Sequence, residues 1–240
     1  MPVLCLHPVC YLMSDSIPPP PGTPLTLVEE VLLLALDDAT GDLRPMPVMG
    51  LEYSLVGALL ADLALAGRID SDPQQIIVLS SEPTGDPLLD EPLATLAAAS
   101  GPLPVSHWLR VLAGEAQSLE DSARARLIAR GILREEKRKL LWVFGIRRYP
   151  TADDRELVEV RTRLSALILG DDLPDPRDAI LIGLLTASRL LNHLFPEAAI
   201  QAREGRIATL ARMDLVGREV STAVEAIVKL ISSSALSLRL

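Results

Sequence analysis

From residue 25 onward, apolar runs at helical spacing alternate with short polar or Gly/Pro breaks, and this pattern predicts helix after helix. Thr26 and Glu29 have capping-box spacing and open the apolar run 31–36, which a turn over 37–41 closes. A second helix is predicted over 54–66, with Gly67 as its left-handed stop. Residues 68–70 and 76–80 flank a Ser-Asp-Pro break and read as a β-hairpin. Asp86 followed by Pro87 is an N-cap with Pro at the first helical position, starting a helix that reaches Ala99 and stops at Gly101.

A short helix over 106–113 and another over 118–130, ending at Gly131, come next. Residues 134–149 supply a second hairpin, and 155–169 an amphipathic helix. Asp175 and Pro176 open the longest apolar helix, 177–194, which Phe195 and Pro196 end; helices over 198–212 and 217–232 finish the chain. The expected fold is mainly α: a compact single helical domain over 25–240 with one or two small peripheral β-hairpins.

Residues 1–24 read as a flexible, proline-rich leader, since five prolines within 17–24 forbid a helix. Met13 looks like a natural start, with 1–12 an overextended reading frame. No basic n-region or small-residue cleavage site marks a signal peptide. The most apolar stretch, 179–191, is interrupted by Arg189 and falls short of the roughly 18 to 20 residues that span a bilayer.

Composition narrows the picture. Hydrophobic residues make up 49% and charged residues 23%, ordinary for a folded domain, while 3% aromatics are too few for most all-β cores. The only lysines are Lys137, Lys139 and Lys229; Arg, Ala and Leu dominate as GC-rich codons would produce, which points to a bacterial source. A net charge of -9 disfavours general binding to nucleic acid or anionic membrane, so any anion contact has to be local.

Chemistry-bearing residues are sparse. Cys5 and Cys10 match neither a disulfide framework nor a zinc site, which fits a reducing cytoplasm. His7, His107 and His193 share no ligand spacing, so neither metal nor cofactor is expected. Residues 83–86 lack the glycine and lysine spacing of a phosphate-cradling loop and read as a turn plus N-cap. Neither the serine clusters nor the carboxylate pairs form a nucleophile motif or a dyad, and no enzyme activity is expected.

The segment 134–149 stands apart, with six cations against two carboxylates and three of the seven aromatic residues. Its apolar run 140–144 lies between two basic flanks. Such an arrangement suits an anionic surface, where apolar groups enter the interface while Lys and Arg stay at the phosphates; a hairpin packed on the domain's own core is the plainer reading. Arg138, Lys139, Arg147 and Arg148 are the candidate anion contacts. Alternation places Leu141 and Val143 on one face and Leu140, Trp142 and Phe144 on the other, available to lipid or to a second protomer.

Five ordered blocks carry a resemblance to a known family: 25–38, 57–69, 83–91, 127–133 and the 175–196 helix. With the short helix that holds Trp108, they resemble the Golgi phosphoprotein 3 family over about residues 25–232. The resemblance implies a compact, mostly helical, non-catalytic adaptor. Eukaryotic members bind phosphatidylinositol 4-phosphate at Golgi membranes and recruit protein clients, and the matching hairpin takes part in oligomer contacts beside the lipid site. The expected partners are therefore anionic phospholipid, a protein client and a second copy of the chain, with cytoplasmic, peripherally membrane-associated localisation.

Carried over by register, the family's headgroup positions fall on Pro47, Val56, Gln117 and Glu120, none of which keeps the family's tryptophan or arginines. Arg110, Arg124 and Arg126 are candidates for a displaced cationic site. The alternative is a winged-helix-like DNA-binding regulator, because a helix followed by a basic hairpin is also how a wing is presented to DNA.

Overall fold

The computed structural model describes residues 23–71, 75–138, 146–211 and 213. Among these residues the chain forms ten helices and two small antiparallel hairpins, a mainly α fold as the pattern predicts. Helix α1 (Leu27–Ala35) starts at a complete capping box: Thr26 Oγ1 accepts from the Glu29 amide at 3.1 Å, and the Glu29 carboxylate accepts from the Thr26 amide at 2.8 Å. All nine residues of α1 are buried, so it is the central rod of the domain, packed by α2, α5, α6 and α7.

Helix α2 (Gly50–Leu65) is the second buried rod. It begins four residues before the expected start because Met49 adopts a left-handed φ of 60° and the Gly50 amide donates to Pro47 O at 2.8 Å, turning the chain straight into the helix. It ends as expected, with Gly67 at φ 66° and Arg68 N donating to Leu63 O at 2.9 Å, the bond that closes a Schellman motif. The first hairpin pairs β1 (Ile69–Ser71) with β2 (Ile76–Val78), Ile69 opposite Val78.

Helices α3 (Pro87–Ala97), α4 (Val105–Ala113) and α5 (Ala116–Ala129) flank this pair. Asp86 caps α3 by accepting from Leu88 N at 2.9 Å. Gly131, at φ 74°, leads into the second hairpin, β3 (Glu136–Arg138) with β4 (Ile146–Arg148). Helix α6 (Arg155–Leu169) has its expected bounds, with Leu157, Val160, Leu164, Leu167 and Ile168 buried.

One long element is corrected. The expected helix 177–194 is two, α7 (Pro176–Ala187) and α8 (Leu191–Leu194). Arg189 takes φ 61° between them, and Ser188 Oγ donates back to Leu184 O at 2.8 Å. Periodicity hides this break because Leu185 before it and Leu190 after it are both fully buried, so the apolar spacing runs on past Ser188 and Arg189. The expected helix 198–212 likewise divides into α9 (Glu197–Ala202) and α10 (Glu204–Leu210). The helix expected over 217–232, and the leader up to residue 22, lie outside the described residues.

Candidate anion-contacting surface

The cations singled out from the sequence divide into two groups. On α5, Arg124 forms ion pairs with Glu120 and with Asp121 (2.7 Å), and its guanidinium lies 4.5 Å from the Tyr149 ring centroid. Burial pulls its pKa down. Arg126 goes deeper: its side chain is 7% exposed, its Nε donates to the fully buried Glu29 at 3.2 Å, and its Nη1 donates to Asp86 at 2.6 Å. Arg126 therefore links α5, the capping box of α1 and the N-cap of α3. Arg110 is exposed on α4 and donates to Ser106 O at 3.1 Å. The three do not converge on one pocket.

Two hairpin cations face outward. Arg147 is 65% exposed and lies 3.4 Å from Glu135; Arg134, which the sequence pattern did not single out, is 60% exposed and lies 2.9 Å from Glu136. Arg148 is more enclosed and pairs with Asp42 at 3.2 Å, fastening the hairpin root to the turn after α1. Tyr149 N donates to Gly41 O at 3.3 Å on the same seam. The backbone of Arg138 pairs with Ile146, whereas Lys139, Leu140, Trp142 and Phe144 lie outside the described residues.

The four positions expected from the family's headgroup site also separate. Val56 is fully buried, Glu120 is spent on Arg124, and Pro47 sits in the turn before α2. Val56 and Gln117 line a cleft of about 400 Å³ between α2, α3 and the α4–α5 turn. Leu59, Leu88 and Leu112 supply apolar wall, Glu91 and Glu115 bring acid, and the one cation lining it is Arg126, already held by two carboxylates. An anionic headgroup entering there would find no unpaired cation.

A buried network went unread in the sequence. Glu30, Asp62 and Asp178 are each nearly inaccessible. Arg163 bridges Glu30 (2.8 Å) and Asp178 (2.5 Å); Arg177 bridges Glu30 (3.1 Å) and Asp62 (3.3 Å) and donates to Leu25 O. Asp62 also accepts from the Leu27 and Val28 amides, so a carboxylate of α2 satisfies the N-terminus of α1. The sequence signal was present: Glu30 and Asp62 interrupt otherwise apolar helical faces, where a charge has to be paired.

Burial pushes the pKa of Asp62 up to about 6, and raises those of Glu30 and Asp178. The folded state thus binds a proton that an unfolded chain, with its carboxylate near 4, releases. The resulting stabilisation is fully present below about pH 4 and is lost as pH rises through about 6. Unfolding free energy measured in urea is expected to carry this falling contribution across that window, with Asp62→Asn flattening the slope. An unchanged slope would place the proton on another member of the network.

Among the described residues there is no cluster of His, Cys, Asp and Glu that would hold a metal ion, and no helix is long and apolar enough to cross a membrane. Vacuolar protein sorting-associated protein 74 of Eremothecium gossypii is 31% identical to this chain over 166 residues, a match covering 60% of the chain and 49% of the relative. The aligned stretch thus spans about half the length of that relative. A family model described as Golgi phosphoprotein 3 (GPP34) matches residues 27–227, from the first residue of α1 past the end of α10. With the two central helices and both hairpins inside that match, the chain belongs to the Golgi phosphoprotein 3 family.

Proposed function

We propose that this chain is a non-catalytic, peripheral membrane adaptor that meets anionic lipid through the charge of its 134–149 hairpin rather than through a headgroup pocket. The observation that carries this reading is the division of the cations: Arg134 and Arg147 are exposed and meet only exposed neighbouring glutamates, while Arg124 and Arg126 are enclosed and held by carboxylates of the domain. Each cation near an anionic surface contributes about 1 kcal/mol. Changing Arg134, Arg138, Lys139 and Arg147 together to Glu is therefore expected to weaken co-flotation with phosphatidylserine vesicles by at least about a hundredfold. Arg148 is left in place because it holds the hairpin root to Asp42. Undiminished flotation of a folded variant would refute the reading.

The absence of an unpaired cation in the cleft supports a second expectation. Binding to phosphatidylinositol 4-phosphate should match binding to other lipids at equal surface charge. A tenfold preference, about 1.4 kcal/mol, would restore a headgroup site. The DNA-binding alternative is weaker: α2 carries no Lys or Arg, and the cations of α5 nearest its hairpin, Arg124 and Arg126, are paired inward. Self-association through Leu140, Trp142 and Phe144 predicts that Trp142→Ala with Phe144→Ala converts an oligomer to a monomer in sedimentation.

A further inference from the structure

The cleft between α2, α3 and the α4–α5 turn offers hydrogen-bond acceptors without a free positive charge to match them. Its apolar wall is formed by Leu59, Leu88 and Leu112, and it encloses about 400 Å³, the size of a small-molecule site. Two carboxylates line it, Glu91 and Glu115, and among the described residues neither enters an ion pair or a side-chain hydrogen bond. Glu115 is the N-cap residue of α5, yet its side chain caps no backbone amide.

Further acceptors come from α5 and α3. Ser118, Ser122 and Arg126 follow one another at i, i+4 spacing, so one stripe of α5 borders the cleft. The two serine hydroxyls bond to no other described residue. On α3, Pro92 stands inside the helix and has no amide hydrogen for Leu88 O, four residues back; both residues line the cleft. A helical carbonyl deprived of that donor is one more acceptor on the α3 wall.

The donors, by contrast, are already committed. Arg126, the one cation lining the cleft, is held by Glu29 and Asp86, and Gln117 donates its side-chain amide to Asp121. A guest that only donates suits such a site, and a primary ammonium has three N–H donors and no acceptor. A phosphate or carboxylate would instead bring negative charge to carboxylates that nothing neutralises. An ammonium carried on a phospholipid headgroup comes with a phosphate, so it meets the same obstacle. The leucines call for a hydrocarbon body behind the charge, which removes apolar surface from water as it enters.

We propose that this cleft binds a small organic cation, a primary amine whose ammonium is met by Glu91 and Glu115 and whose apolar body packs on Leu59, Leu88 and Leu112. The site is separate from the basic hairpin and needs no membrane, so it stands or falls independently of the lipid reading.

The test is calorimetric titration of the full chain with probes that share a phenylpropyl body: phenylpropylamine, phenylpropanol and phenylbutyrate. The amine is expected to bind at least about tenfold more tightly than the alcohol, and the carboxylate more weakly than either. Glu91→Gln with Glu115→Gln keeps side-chain size at two exposed positions, so the fold is undisturbed. The double variant should lose the amine's advantage while its affinity for the alcohol stays unchanged. Ser118→Phe, at an exposed position of the α5 wall, should fill the cleft and weaken amine and alcohol together. Equal affinity for amine and alcohol, tighter binding of the carboxylate, or an amine preference that survives the double substitution would each overturn the proposal. A chain that binds no amine at millimolar concentration overturns it too; if a short peptide rich in Lys and Leu binds instead, the cleft belongs to a protein partner.

Discussion

Replacing Arg126 by Met is expected to lower the unfolding free energy by about 3–5 kcal/mol without a specific loss of lipid binding. Met keeps much of the aliphatic bulk but leaves Glu29, fully buried, with only the amide and hydroxyl of Thr26 as partners. Asp86 would retain its cap on Leu88 but lose its ion pair across to α5. The large effect comes from the orphaned charge rather than from the value of the pair itself, so Arg126→Met with Glu29→Gln should recover a substantial part of the loss. Urea denaturation of the two variants beside wild type measures it. If Arg126→Met stays within about 1 kcal/mol of wild type and vesicle binding falls instead, Arg126 is a ligand group and not a structural link between α5 and α1.

Gly41→Ala is expected to cost about 2–5 kcal/mol and to loosen the hairpin at its root. Gly41 has φ 66°, and a Cβ there would collide with the backbone of Tyr149 and Pro150. Left-handed strain contributes about 1–2 kcal/mol and overpacking against unyielding backbone about 1–3 kcal/mol. The seam at risk includes the Tyr149 N to Gly41 O and Thr151 N to Asp38 O hydrogen bonds. Because the hairpin hangs on that seam, the variant should bind anionic vesicles less tightly than its loss of global stability explains, and amide exchange at Tyr149 and Thr151 should accelerate ahead of the core helices. Slow exchange at both amides in Gly41→Ala would show that the root is held elsewhere.

Local signals were read correctly where the physics is local. The Thr26 capping box, the Asp86 and Asp175 caps followed by proline, the left-handed Gly67, the helix end at Gly131 and the bounds of α6 all follow from which backbone groups a few neighbouring residues can satisfy. The break at Arg189 was not legible. Both sides of it are buried, and the pattern registers burial rather than backbone direction. The start of α2 was missed for a related reason: a left-handed Met at position 49 runs against local propensity and is held by the packing of Met46 and Met49.

Chain order and residue type established a helical domain with a basic hairpin, and they located its cations. They could not say which cations are free, because that depends on partners far away in sequence. Arg126 meets Glu29 across 97 residues, Arg163 meets Glu30 across 133, and Arg177 meets Glu30 across 147. A guanidinium beside a buried carboxylate and one beside solvent read alike in a sequence. Only when α5, α6 and α7 close around α1 does Coulomb attraction to buried carboxylates turn some arginines into structural links, leaving Arg134 and Arg147 of the hairpin to face the outside.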